Sequence, residues 1–308
     1  MGLREEMLKR KILTRFFGQN YYFDPTLANY GNEDELQERL RRKGEKRLIA
    51  TDAFVFHYKN ISQQIYTPPA LADVADKKMM VTGEVWVPGA SPKRIEDDHI
   101  ARYKFAAKFV QGKRVLDIAC GLGAGSMMLA QAGAAKVDGV DISEIYIMYA
   151  RNHYKADNIE FTVADICSFK SNIIYDVIVC YETIEHVKDD EAALLNLGTL
   201  LRKNGLLIIS TPNRIITAPS AKSIKDKPEN EFHVREYTAN EFTSLLFKSG
   251  FTLSKNNIYG QRQRIYFKSR YLREKFNKIY NPDENFSSEV KKVNILLSPR
   301  YYVFVAKK

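Results

Sequence analysis

The 308 residues suffice for one large core or two modest ones, and 45% hydrophobic with 27% charged residues is the make-up of a water-soluble globular chain. No run reaches the roughly 18–20 apolar residues of a membrane span, the first 19 residues lack the features of a secretory signal, and three cysteines (Cys120, Cys167, Cys180) without metal-type spacing argue against a disulfide framework, so a cytoplasmic setting is expected. The net charge of +10 favours encounter with polyanions, among them nucleic acid, anionic glycans, nucleotide sugars and acidic lipids, without choosing between them.

Residues 1–62 are dense in charge and aromatics. Leu3, Met7, Leu8, Ile12, Leu13 and Phe16 make an apolar stripe with basic residues between, fit to pack on the protein itself or to lie on a membrane surface. Further on come Phe23-Asp24, the run Tyr30-Gly-Asn-Glu33-Asp34-Glu-Leu36, and Asp52-Ala-Phe-Val-Phe-His57-Tyr58. This pattern resembles the C-terminal part of family 2 glycosyltransferases of the GT-A type. The resemblance implies a catalytic-base role for the acidic pair Glu33-Asp34 and metal support from His57. The nucleotide-binding half with its Asp-x-Asp motif is missing, so glycosyl transfer is not expected. A remnant, a fusion fragment or an adaptor for a glycosyltransferase partner all fit. Residues 63–94 carry Pro68-Pro69, Gly83, Pro88-Gly89 and Pro92, and read as a linker.

From residue 95 strand-like and helix-like segments alternate. A helix over 95–110 is expected to cover the mouth of a site, bringing His99 and Tyr103 near a substrate. Strands follow at 114–119, 136–142, 159–164, 175–181 and 206–211, with helices over 125–132, 144–153 and 189–202 between them. A helix over 238–249 opens with Thr238 and Glu241 in capping-box spacing, and strands at 251–259 and 301–306 close the pattern around a basic, aromatic-rich insertion at about 261–300. Such alternation predicts a doubly wound, mostly parallel sheet. The insertion fits a helix with a solvated basic face, or a surface for nucleic acid or sugars.

Open sheets of this kind bind ligands at the carboxyl ends of their strands. The first strand ends in Asp117-Ile-Ala119-Cys-Gly121-Leu-Gly123-Ala-Gly125, where glycines admit a ligand to the backbone and the next helix offers its N-terminus. Asp141-Ile142 ends the second strand, where a carboxylate can take both ribose hydroxyls, and Asp165-Ile166 ends the third, placed for an adenine amino group. Asp117 stands four residues before Gly121, where it can order the loop and meet a cationic ligand. The whole resembles the class I methyltransferases that use S-adenosylmethionine (SAM), of the type 11/12-like kind, over residues 114–308. The resemblance implies a Rossmann-like seven-stranded sheet with an antiparallel last strand, SAM as cofactor, and Asp117, Ala119, Gly121, Gly123, Asp141, Ile142, Asp165 and Ile166 around it. Residues 82–89 and 98–103 also look like the lead-in of methyltransferases attached to sugar enzymes.

Past the fourth strand lies Tyr181-Glu182-Thr-Ile-Glu185-His186-Val187. In a helical turn Glu182, Glu185 and His186 would share one face, and His233 overhangs the same end of the sheet. An imidazole there suits a general base for O-methylation. Alternatively the four hold Mg²⁺ or Mn²⁺, since E-x-x-E-H with a later His resembles the small-RNA 3′-terminal 2′-O-methyltransferases. Residues 232–238 resemble a segment of bacterial methyltransferases encoded near sugar-processing enzymes, which implies Arg235 and Tyr237 near the acceptor. The sequence thus points to a SAM-dependent methyltransferase acting on a hydroxyl of a saccharide or glycan intermediate. Two rivals stand beside it, a metal-assisted RNA 2′-O-methyltransferase and a non-catalytic module with the same fold.

Overall fold

The structure, a computed structural model, describes residues 85–308 except 268, 270, 273, 274, 276–285 and 295. The apolar stripe, the glycosyltransferase-like stretch and most of the breaker-rich segment lie outside the described residues. One sheet dominates the rest. Its strands are β1 (Arg114–Ile118), β2 (Lys136–Asp141), β3 (Ile159–Val163), β4 (Tyr175–Cys180), β5 (Leu201–Pro212), β6 (Ile258–Gln261), β7 (Lys291–Lys292) and β8 (Tyr301–Lys307). They lie in the order β3-β2-β1-β4-β5-β8-β6-β7. β1 to β5 run parallel, and β8 enters antiparallel between β5 and β6. The sheet has eight strands where seven were expected, because two residues of the insertion add β7 to the edge.

The helices are α1 (Lys93–Ala106), α2 (Ala124–Gln131), α3 (Glu144–His153), α4 (Asp190–Leu200), α5 (Arg214–Thr217) and α6 (Ala239–Lys248). Alternation along the central strands sends successive side chains to opposite layers. Leu116, Ile118 and Ile178 pack in one core with Leu194 and Leu197 of α4 and Phe242 of α6. Val115, Val177 and Val179 pack in the other with Phe105 of α1 and Leu129 of α2. Each such side chain contributes roughly 1.5–3 kcal/mol by leaving water. The chain leaves β1 for β2 on one side and reaches β4 on the other, so a crevice opens at the carboxyl ends beside this switch.

Two local devices fix helices that flank the sheet. Thr238 Oγ1 accepts from the Glu241 amide while Glu241 accepts from the Thr238 amide, the expected capping box at the start of α6. The start of α1 is tied to the end of β6 by a buried ion pair. Arg262 Nε donates to both Asp98 oxygens at 2.7 and 2.8 Å. Gln261 completes it, donating to the Asp98 carbonyl and accepting from Arg102 at 2.7 Å.

Candidate active site

The turn after β1 is tight. Ala119 takes a left-handed φ of 58° and Gly123 one of 85°. A Cβ on Gly123 would fall 2.7 Å from the Ala150 Cβ, and one on Gly125 would fall 1.9 Å from the Tyr103 ring. Only glycine lets the loop sit this close to α1 and α3. Asp141, at the end of β2, holds the loop from the other side. Its Oδ2 accepts from the Gly121 amide and its Oδ1 from the Ser143 amide, both at 2.9 Å. Burial raises the Asp141 pKa, against the pull of those backbone donors. Ser143, not Asp141, caps α3, its Oγ accepting from the Tyr146 amide.

The carboxyl ends of β1, β2 and β4 open into a hollow of two adjoining cavities that share Ala119, Asp141, Thr183 and His186. One, of about 460 Å³, is lined by Ile142, Ala164, Asp165, Ile166, Val187 and Asp189 among others. Asp165 Oδ1 accepts from the Cys167 amide at 2.7 Å, which fixes the carboxylate at the rim. The second, of about 260 Å³, is walled by Trp86, His99, Tyr103, Tyr146, Tyr181 and Glu182, with Gly121 in its floor. A larger open depression of about 600 Å³ lies by the edge strand β3, away from these glycines, and its Arg151 is committed to the Phe161 carbonyl.

The Glu-x-x-Glu-His segment does not form the helical face expected of it. Glu182 has a left-handed φ of 48°, and a 3₁₀ turn follows at Ile184–His186. Glu182 therefore reaches the hollow, accepting from Ser210 Oγ at 2.6 Å, while Glu185 turns inward. Glu185 is wholly buried; Thr211 Oγ1 donates to its Oε2 at 3.1 Å, and Oε1 has no hydrogen-bond partner among the described residues. Burial, with the Glu182 charge second, holds its carboxyl well above the usual range. His186 lines both cavities, its Nδ1 3.0 Å from the Phe232 carbonyl. His233 lies behind it, ring to ring at 4.8 Å, with Nδ1 on the buried Glu236 at 2.6 Å and Nε2 3.1 Å from Asn230.

Of the residues singled out from sequence, Ala119, Gly121, Asp141, Ile142, Asp165, Ile166, Glu182, His186, His99 and Tyr103 border the hollow. Gly123 acts one step behind, in the turn. Asp117 does not border it. Residue 117 shares the face of β1 that carries Val115, so it points at α1 and α2 and is 1% exposed. Tyr103 donates to both of its oxygens at 3.2 Å and Ser126 to one at 2.6 Å. Arg235 and Tyr237 are also drawn elsewhere, both bonded to Asp190 at the start of α4, with Tyr237 packed on Phe242 in the core. Sequence reasoning passed over Trp86, Tyr146, Tyr181 and Glu236. Trp86 carried a signal, as the single tryptophan in the chain, set in a proline- and glycine-rich stretch.

A glycine turn closed against α1 and α3, with a carboxylate at the end of the next strand and a two-part hollow over the switch point, is an arrangement able to hold a nucleoside-bearing cofactor. Residues 109–263 match the family model described as a methyltransferase domain. The chain belongs to that family and is a SAM-dependent methyltransferase of class I. It is 32% identical over 204 residues to a protein of Mycobacterium tuberculosis (strain H37Rv) named as a SAM-dependent methyltransferase, covering 65% of this chain and 70% of that one. It is 34% identical over 159 residues to a ubiquinone biosynthesis O-methyltransferase of Coxiella burnetii, covering 50% and 66%. Among solved structures, the methyltransferase-side chain of a complex with the Haloferax volcanii Trm112 methyltransferase activator shares the fold. It is 16% identical with a TM-score of 0.50, over 70% of this chain and 91% of that one. Among the described residues no helix is long and apolar enough to cross a membrane.

Proposed function

We propose that the enzyme methylates a hydroxyl of a saccharide or glycan intermediate. The observation that carries this reading is the smaller cavity, where the rings of Trp86, Tyr103, Tyr146 and Tyr181 surround the polar pair Glu182 and His186. Flat aromatic walls suit the apolar face of a ring, and the two polar side chains suit its hydroxyls. SAM fits the rest of the hollow. Glycine at 123 and 125 lets the turn seat against α3 and the Tyr103 ring, and Gly121 lies in the cavity floor. Asp141 would take the ribose, Ile142, Asp165 and Ile166 the base, and Ala119 and Gly121 the remainder. Bound there, SAM supplies a methyl group activated on a sulfonium. The chain orients the acceptor, excludes water with α1 and the Trp86 segment, and provides groups that receive a proton. Glu182 and His186 contact the acceptor. His233 and Glu185 act through them, and Asp117 acts through Tyr103.

One observation favours a second reading. Glu185, His186 and His233 each offer a ligand atom within 4.8 Å of the others, and Glu185 Oε1 is buried without a hydrogen-bond partner among the described residues. This would suit Mg²⁺ or Mn²⁺ in an RNA 2′-O-methyltransferase, with the basic surface holding the nucleic acid. Against it, His233 is committed on both nitrogens. The division into residues 1–62, 63–94 and 95–308 remains our proposal, as does a glycosyltransferase partner for the first piece. Within the expected linker, Val85 and Trp86 line the hollow.

Transfer from labelled SAM to nucleotide sugars, oligosaccharides, catechol and RNA, each with and without Mg²⁺, Mn²⁺ or chelator, tests the assignment. Label on a saccharide, insensitive to chelator, is the expected result. Label confined to RNA and dependent on added metal would replace this reading with the second, and label confined to catechol would reject the saccharide.

A further inference from the structure

We infer that His99, on α1, is the group that takes the proton from the acceptor hydroxyl, with the indole N–H of Trp86 as the hydrogen-bond donor that holds the same oxygen. The inference rests on the hollow being the methyl-transfer site and names the residues at its acceptor end. His99 and Trp86 stack at 5.8 Å between ring centroids, with an interplanar angle of 22°, and both line the smaller cavity. Neither nitrogen of His99 has a hydrogen-bond partner among the described residues. The Trp86 Nε1 is buried and is equally without one. Leaving a buried indole N–H unpaired destabilises the fold, so an orphaned donor beside an uncommitted imidazole marks a place for an oxygen brought by a ligand. His186 and His233 are differently placed, since His186 is held on Nδ1 by the Phe232 carbonyl and His233 is held on both nitrogens outside the hollow.

The chemistry balances. The hydroxyl oxygen forms its bond to the methyl carbon as the carbon–sulfur bond breaks and the bonding pair stays on sulfur. The hydroxyl proton passes to the imidazole, and then to solvent when the products leave. A base must be neutral to do this. Burial, and after it the Arg102 guanidinium one turn along α1, lowers the His99 pKa well below 6.5, so the ring is neutral at physiological pH. Arg102 lies buried on the same helix and donates to Gln261 at 2.7 Å. The other titratable groups facing the hollow are Tyr103 of α1, Cys120 beside the glycine turn, Asp141 of β2, Tyr146 of α3, and Tyr181, Glu182 and His186 after β4.

The test uses the full chain with His99→Asn and Trp86→Phe. With methyl β-D-glucopyranoside and catechol as probe acceptors, H99N is expected to lose at least about a hundredfold in kcat, the usual scale of general-base removal. Its SAM dissociation constant, by calorimetry, should stay within about threefold. W86F should raise KM more than it lowers kcat. In the wild type kcat/KM should hold level to below pH 6.5 and then fall, and that limb should vanish in H99N. If H99N keeps kcat within threefold on a probe the wild type methylates, the inference is overturned. Where only catechol is methylated, the saccharide reading fails while His99 is still judged on catechol. Should neither probe turn over, the fluorescence of the single tryptophan decides. With S-adenosylhomocysteine bound, a probe should change Trp86 emission in the wild type and not in H99N. No change in the wild type, or an equal change in both, overturns the inference.

Discussion

Asp117 shows how far one side chain's meaning depends on the face of a strand. Its spacing before the glycines marks it as a candidate to order the loop and meet a cationic ligand, but a motif does not say which layer a residue faces. Position 117 has the parity of Val115, and so the carboxyl is shut behind Tyr103 and Ser126. Burial raises its pKa to about 7, partly offset by those two hydroxyl donors. The folded pKa lies above the unfolded value of 3.8, so the folded state keeps the proton longer. Stability is therefore lost as pH rises from about 4 to about 7, by up to about 4 kcal/mol at 1.36 kcal/mol per pH unit. Asp117→Asn has no such titration. Melting temperatures taken from pH 4.5 to 8 should show the variant gaining on the wild type as pH rises, and parallel curves would contradict a raised pKa. His186 makes a contrasting case. If it contacts acceptor hydroxyls without taking the proton, His186→Asn should raise the acceptor KM about tenfold, about 1.4 kcal/mol. The kcat should stay within about threefold, and a collapse of kcat would move the proton-accepting role to His186. The Glu182 conformation that separates it from Glu185 was not readable from sequence, because a left-handed glutamate leaves no mark in residue spacing.

Among the elements, those with strong periodicity were legible. The strands that became β1 to β5, the helices between them and the capping box on α6 follow from apolar runs, breakers and cap residues. β6 was displaced. Expected over 251–259, it spans Ile258–Gln261, because Phe251 goes into the core under α6 and Thr252 bonds Lys307 on the way. The tether from the insertion to α1 was also hidden, since Asp98 and Arg262 lie 164 residues apart and no local pattern joins them. That tether carries a definite expectation. Asp98→Ala would leave the buried Arg262 without this carboxylate, and removing one partner of a buried pair costs about 3–5 kcal/mol. The double variant Asp98→Ala with Arg262→Met removes the stranded charge and should recover part of that loss in chemical denaturation. A double variant no more stable than Asp98→Ala would mean the pair adds nothing beyond packing. Because α1 carries His99 and Tyr103, the single variant should also loosen the smaller cavity, seen as faster amide exchange along α1.

At the scale of the whole molecule, the sheet order matters more than any motif. Strand order places the ends of β1, β2 and β4 side by side at the switch point, so three stretches distant in sequence share one hollow. Sequence alone located those ends by their acidic and glycine residues, but it did not bring in Trp86, which precedes the sheet altogether. Asp141 is the residue through which this assembly is most directly testable, since it borders both cavities and ties the glycine loop to β2. SAM at a hundredfold its dissociation constant should stabilise the folded wild type by about 2.7 kcal/mol. For a domain of this size that is a rise in melting temperature of about 5–11 °C, at about 2–4 °C per kcal/mol. Asp141→Ala removes the proposed ribose acceptor and the loop anchor together, so it should lower the ligand-free melting temperature and abolish the SAM-dependent rise. Asp141→Asn keeps an oxygen for the Gly121 or Ser143 amide and should melt closer to the wild type, yet still respond weakly to SAM. A full SAM-dependent rise in either variant would place the cofactor away from the end of β2 and take the acceptor assignments with it.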